Sequence, residues 1–167
     1  STFGAKGDGT YQTAALQRPL DQLYQNAASK GTELSRVVLE MEPGVYNITG
    51  TIYIPPFATI RGAGIDKTII KCNSLSAPAF STVNDSSTPG NPAAESSTTT
   101  LNQARNIEIS GLTIEVVANN ALQLIDCKNS IFENIKLKGP WESNASVGVS
   151  QGIRLTALST AVTCQHN

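Results

Sequence analysis

The chain has 167 residues, 40% of them hydrophobic and only 15% charged, enough apolar material for one domain with a sizeable core. Twelve Lys and Arg against thirteen Asp and Glu leave a net charge of −1 with no basic run, which argues against a nucleic-acid partner. No apolar stretch approaches the roughly 18–20 residues that a membrane-spanning helix needs, and no basic-then-apolar leader is present, so membrane insertion is not expected.

Residues 1–12 read as a loop with glycines at 4, 7 and 9. From Thr13 the pattern turns helical, with Leu16, Leu20, Leu23 and Ala27 on one stripe, Thr13 as a candidate cap and Ser29-Lys30-Gly31 as a stop. Pro19 lies inside that span and predicts a kink or a late start. Short strand candidates follow at 37–41, 45–48, 51–54, 58–61 and 68–72, with connections too short for a crossover helix. Residues 73–103 are rich in Ser, Thr, Pro and Ala and read as a long loop excursion with too few large apolar groups to offset its ordering entropy.

The last third carries an internal repeat. The segment Asn106–Glu115 aligns with Asn129–Lys138 at an offset of 23 residues. Ile109/Phe132, Leu112/Ile135 and Ile114/Leu137 point inward, and Gly111/Asn134 make a corner. A third group of runs, 121–127, 152–155 and 161–164, is read as one strand family. A period in the low twenties built from short strands is the signature of a solenoid. Its turns stack about 4.8 Å apart, and Asn106 above Asn129 would share amide hydrogen bonds. The amphipathic helix then covers the open first turn, where unpaired backbone groups would invite association.

The expected fold is therefore all-β, a parallel β-helix with an N-terminal capping helix. It forms one domain: loop and helix over 1–31, first coils over 32–72, the insertion over 73–103, and repeating coils over 104–167. The absence of an initial Met and the stop directly after a strand-like run mark the chain as the N-terminal part of a longer β-helix. Cys72, Cys127 and Cys164 cannot all pair and match no zinc spacing, so they read as small buried thiols. A reducing assembly compartment follows.

Phe3-Gly4-Ala5-Lys6-Gly7-Asp8-Gly9, Thr13-Ala14-Ala15-Leu16-Gln17, Pro43-Gly44-Val45-Tyr46, Thr51-Ile52-Tyr53-Ile54-Pro55 and Ile60-Arg61-Gly62-Ala63-Gly64, in that order, resemble the opening of pectate-lyase-like right-handed parallel β-helix proteins. That family includes bacteriophage tailspikes and tail fibres, polygalacturonases and related glycan-cleaving enzymes. Members often carry paired Asp before the helix; here Tyr11 and Gln12 stand there, which puts the helix start in doubt. The resemblance implies a virion structural protein: a tail-fibre or tailspike component for host attachment, a homotrimer meeting other tail proteins and host cell-surface polysaccharide, assembled in the host cytoplasm. The alternative is a secreted polysaccharide hydrolase or lyase whose active coils lie beyond residue 167.

No catalytic, cofactor-binding or metal-binding residue is assigned. Glycan hydrolysis needs two carboxylates about 5–9.5 Å apart. Glu108 and Glu133 fall at different places in the repeat, while Glu115 aligns with Lys138 as an outward charge pair. These acids, with Asp126 and Glu142, read as solvated surface groups. Asp8 between glycines reads as a turn former rather than a metal ligand, and His166 stands alone at a chain end. Trp141 offers a ring for a sugar or a subunit contact; packing under its own loop is the equally ordinary alternative. The sequons at Asn47, Asn84 and Asn144 carry little weight in so Asn- and Ser-rich a chain.

Overall fold

Short β-branched runs separated by Gly, Pro and Asn leave the chain no element long enough to bury its own apolar face, so each strand must find partners elsewhere. The computed structural model describes residues 4–25, 37–82, 105–125, 127–140, 152–156 and 160–167. In chain order these form β1 (Asp8–Tyr11), α1 (Thr13–Gln25), β2 (Val37–Met41), β3 (Gly44–Ile48), β4 (Ile52–Ile54), β5 (Ala58–Gly62), β6 (Thr68–Cys72), β7 (Phe80–Thr82), β8 (Glu108–Val116), β9 (Leu122–Ile125), β10 (Lys128–Lys138), β11 (Ile153–Thr156) and β12 (Thr160–Gln165).

Neighbours in sequence do not pair. Instead β2 pairs β5, β3 pairs β6 and β4 pairs β7, all parallel. One sheet runs β1-β3-β6-β8-β10-β12 with β2 and β5 joined to its flank, and a second runs β4-β7-β9-β11. The fold is all-β, made of parallel sheets with one helix beside them. Inward residues stack in register: Leu39 on Ile60, Ile60 on Ile109, Ile109 on Phe132, and Phe132 on Cys164. A second column places Tyr46 on Ile70, Ile70 on Ile114 and Ile114 on Leu137. Ile60, Ile109, Phe132, Ile70 and Ile114 are fully buried, so the core is a stack of like side chains rather than a cluster around one centre.

The predicted 23-residue repeat is the observed register of β8 on β10, from Ile109 with Phe132 to Glu115 with Lys138. The corner is present too, because Gly111 and Asn134 both take left-handed backbone angles, φ 67° and 50°. Asn106 and Asn129 differ from expectation. Both are exposed with positive φ, 54° and 48°, and among the described residues no bond joins their side chains. They serve the turn through backbone conformation, which Asn tolerates better than most residues.

Three further expectations are corrected. The excursion predicted from residue 73 contains β7, whose Phe80 is buried between Ile52 and Leu122. A single Phe among Ser and Thr carries no visible period, yet two parallel neighbours suffice to make it a strand; residues 83–103 of that span lie outside the described residues. The terminal run belongs with β10, not with β9 and β11, since Ser130 meets Val162 and Phe132 meets Cys164. Cys72 and Cys127 are buried as expected, but Cys164 is exposed on β12, the last strand of its sheet.

The helix starts at Thr13 despite Tyr11 and Gln12, because the Gln12 carbonyl accepts the Leu16 N–H at 2.9 Å. Thr13 does not cap it; its hydroxyl oxygen accepts the Thr49 N–H at 2.9 Å. The helix continues through Pro19. Leu16 and Leu20 are buried in the core as the stripe predicts, while the stop at Ser29-Lys30-Gly31 lies outside the described residues. α1 also meets the free side of β4 with a side chain. Gln17 Nε2 donates to the Tyr53 carbonyl at 3.0 Å and Gln17 Oε1 accepts the Tyr53 N–H at 2.7 Å, which fills both backbone valences of the central β4 residue.

Candidate functional site

Alternation along a strand sends every second side chain outward, and parallel register aligns those outward residues into rows. One row crosses five strands. Tyr11 pairs with Asn47, Asn47 with Lys71, Lys71 with Glu115, and Glu115 with Lys138. Tyr11 stands at its head, 68% exposed. Asn47 is tied down because its Nδ2 donates to the Gly9 carbonyl, which also occupies the amide of that sequon.

Glu115 sits between two lysines. Its Oε1 accepts from Lys138 Nζ at 2.8 Å and its Oε2 lies 3.4 Å from Lys71 Nζ. The expected Glu115–Lys138 pair is therefore present, with Lys71 as a third member that sequence reading missed. No period connects Lys71 to Glu115, because the long excursion intervenes. The Lys138 hydrogen bond, with the charge of Lys71 behind it, holds the Glu115 carboxyl below the usual 4.5, while partial burial opposes the shift. Glu115 in turn raises the ammonium of Lys138. Beside the row, Lys136 Nζ reaches both carboxylate oxygens of Asp66 at 2.9 and 3.0 Å. Where the strands end, Lys71, Asn73, Glu115, Val117, Lys138 and Gly139 border a cleft of about 510 Å³.

A carboxyl depressed in the folded state adds stability above its unfolded value, and that stability is lost as pH falls through the folded one. Glu115→Gln is therefore expected to flatten the acid limb of the stability curve below about pH 4.5 and to leave it nearly parallel to the parent above pH 6. Thermal unfolding between pH 3 and 7 measures this; an unchanged acid limb would show that the pair adds nothing to the fold.

The neighbouring arm of the same sheet has the opposite character. Arg61 lies 3.8 Å from Glu40 and 3.6 Å from Glu108, and Gln165 Nε2 donates to Glu133 Oε2 at 2.6 Å. Glu108 aligns with Ile131 and Glu133 with Ser110, so the two acids share a face without stacking, as their positions in the repeat predict. Asp8 is the turn former expected, since its Oδ1 accepts from the Thr10 N–H at 3.0 Å and from the Thr10 hydroxyl at 2.6 Å. His166 is exposed. Trp141, Asp126, Glu142, Asn84 and Asn144 lie outside the described residues. A second cleft, about 800 Å³, opens between Leu16 and Pro19 of α1 and Leu39 and Met41 of β2. Its walls are the packing surfaces of the helix, whereas the outward row carries charge and an exposed aromatic ring.

The family model described as rhamnogalacturonase A/epimerase, pectate lyase-like, matches residues 1–165. Among solved structures, the A-module of the mannuronan C-5 epimerase AlgE4 from Azotobacter vinelandii is similar at 14% identity and a TM-score of 0.49, over 83% of this chain and 40% of that one. The chain thus spans well under half of that module's length. A "putative glycosyl hydrolase" from Parabacteroides merdae is similar at 14% identity and a TM-score of 0.39, over 98% of this chain and 91% of that one. A search of curated proteins finds no matching sequence.

Proposed function

The chain belongs to the rhamnogalacturonase A/epimerase, pectate lyase-like family, and from that premise we propose that it is part of a polysaccharide-acting protein of the hydrolase or lyase kind. The scaffold in this proposal is a right-handed parallel β-helix whose first turn is closed by α1. The observation that carries the reading is the family match over residues 1–165. The geometry is compatible with it: rows of outward side chains run along the stack of strands, which is how such a scaffold meets a linear polymer. An extracellular location and a polysaccharide partner belong to the same proposal.

Cleavage requires a pair of carboxylates flanking the bond, or a base beside a bound cation, in a site that shifts their proton affinity. Glu108 lies 3.6 Å from Arg61 and Glu133 accepts from Gln165, so each carboxylate is engaged by a neighbour and the two do not face one bond as a pair. The proposal accordingly places catalysis outside residues 1–167. The 167-residue chain is expected to retain pectic polysaccharide on an affinity gel while releasing no oligosaccharide from it. The natural polypeptide that carries this chain is expected to release reducing ends or unsaturated products from the same polymer. Release by residues 1–167 alone would overturn the placement of catalysis, and failure of both proteins to bind or cleave any polysaccharide would overturn the function.

The tail-fibre or tailspike reading, with its homotrimer and tail-protein partners, rests on sequence resemblance alone. The family match favours the polysaccharide-acting reading over it.

A further inference from the structure

We propose that α1 is a pH-dependent clasp on the outer side of β4, one that tightens when Asp21 takes up a proton and loosens when it gives the proton up. Such a clasp works whether or not the stack meets a polysaccharide.

Three observations carry it. The first is how the helix is attached. At its start α1 is fixed to the end of β3, where the Gln12 N–H donates to the Asn47 carbonyl at 2.7 Å and the Thr13 hydroxyl accepts the Thr49 N–H at 2.9 Å. Further on, one side chain grips the backbone of β4, since Gln17 fills both valences of Tyr53. Pro55, the next residue on that side of the strand, has no N–H to offer. The end at Gln12 and Thr13 is thus the hinge, and the Gln17 amide is the catch.

The second is a buried acid on the catch. Gln17 and Asp21 stand one helical turn apart on the same face. The two N–H donors of the Gln17 amide are divided between the Tyr53 carbonyl and Asp21 Oδ1. Asp21 is buried, and among the described residues no cation lies within ion-pair distance of it. The charged and titratable groups around it are Arg18 on α1, which is exposed, Tyr53 on β4, Glu40 on β2, and Glu42 and Tyr46 across the cleft. Glu40 is itself turned to Arg61, 3.8 Å away. A carboxylate with no counter-charge is costly to bury, and opening returns it to water, so ionisation favours the open clasp. Burial accordingly raises the Asp21 carboxyl above its usual 3.8 against the opposing Gln17 bond.

The third is a weak point beside the pair. Pro19, between Gln17 and Asp21, has no N–H for the Ala15 carbonyl, so the helical ladder is interrupted in the turn that carries the catch. The 800 Å³ cleft, bordered by Leu16 and Pro19 with Leu39 and Met41, leaves the helix space to shift into.

Hydrogen exchange of the Tyr53 amide in the 167-residue chain, corrected for the intrinsic rate at each pH, reads the clasp because Gln17 is the acceptor of that N–H. Between pH 4 and 7 its opening constant is expected to rise about threefold or more, within the limit of tenfold per pH unit for one proton. Amides of β8, in the middle of its sheet, are expected to open far more rarely at every pH. Asp21→Asn keeps an acceptor for Gln17 and is expected to hold the Tyr53 opening constant flat, at the level of the parent at low pH. A rise as large in Asp21→Asn would assign the pH response to another group and overturn the role of Asp21. A Tyr53 opening constant that falls with pH in the parent would reverse the sign and overturn it as well. Equal opening constants at Tyr53 and in β8 would mean that α1 leaves only when the whole stack unfolds, and no clasp exists.

Discussion

Gly62→Ala is expected to lower the melting temperature by about 5–10 °C, the equivalent of roughly 2–3 kcal/mol in a chain of this size. The cause is the spacing of strands at the corner where β5 and β8 turn. A Cβ at Gly62 would stand on the Gly111 carbonyl oxygen, 2.8 Å from Leu112 Cβ and 3.0 Å from Thr68 Cβ. None of these atoms can swing aside, because the Gly111 carbonyl also accepts the Gly64 N–H at 2.8 Å and Leu112 is fully buried. The strands must separate locally, and every turn stacked beyond them inherits the displacement. Gly50→Ala is the matched control, since its nearest neighbour would be Thr13 Cγ2 at 3.9 Å. Thermal unfolding of the two variants side by side decides the matter; equal melting temperatures would mean that the corner tolerates a methyl group and that stacking distance does not limit this fold.

The same corner shows what a sequence can reveal about such a scaffold. The 23-residue repeat was legible because both of its copies carry the full alternation, inward at Ile109/Phe132 and Leu112/Ile135 and outward at Glu115/Lys138, with a left-handed residue at the bend. Strands β2 to β6 were legible for a related reason: each is a short run with β-branched residues, and β2 to β5 end at or near a Gly or Pro. Parallel pairing across an insertion is another matter. Ile60 stacks on Ile109 and Lys71 on Glu115, but the intervening length obeys no period, so the outward row could not be assembled from spacing. β7 was hidden because three residues hold no pattern, and β12 because a short apolar run does not say which sheet it joins. Polar residues that act inside were hidden most thoroughly. Ser130, fully buried, accepts the Ile107 N–H at 3.0 Å and donates to the Lys128 carbonyl at 2.8 Å, a bridging role that its residue type does not announce.

Gln17 is the strongest instance, and its removal carries the second large expected effect. Gln17→Ala is expected to cost about 2–4 kcal/mol, because it strands the N–H and the carbonyl of Tyr53 beneath a helix where both are now bonded. Arg18→Ala, one position along and exposed, is expected to change little. Asp21 modulates the same contact. Its Oδ1 accepts from Gln17 Nε2 at 2.8 Å, it is only 6% exposed, and burial raises its carboxyl above the usual 3.8 although the Gln17 bond opposes this. A carboxyl raised in the folded state leaves the native protein binding more protons than the unfolded chain between the two values, so its contribution to stability falls as pH rises through that window above 3.8. Asp21→Asn keeps an oxygen acceptor for Gln17 and removes the buried charge. It is therefore expected to melt higher than the parent at pH 7 and to converge with it as pH drops toward 3.8. Calorimetry across that range tests both substitutions together. If Gln17→Ala unfolds within 1 °C of the parent, water must replace the amide at the free side of β4. If Asp21→Asn is less stable than the parent at pH 7, the carboxylate itself, and not its burial, governs how α1 seats against the sheet.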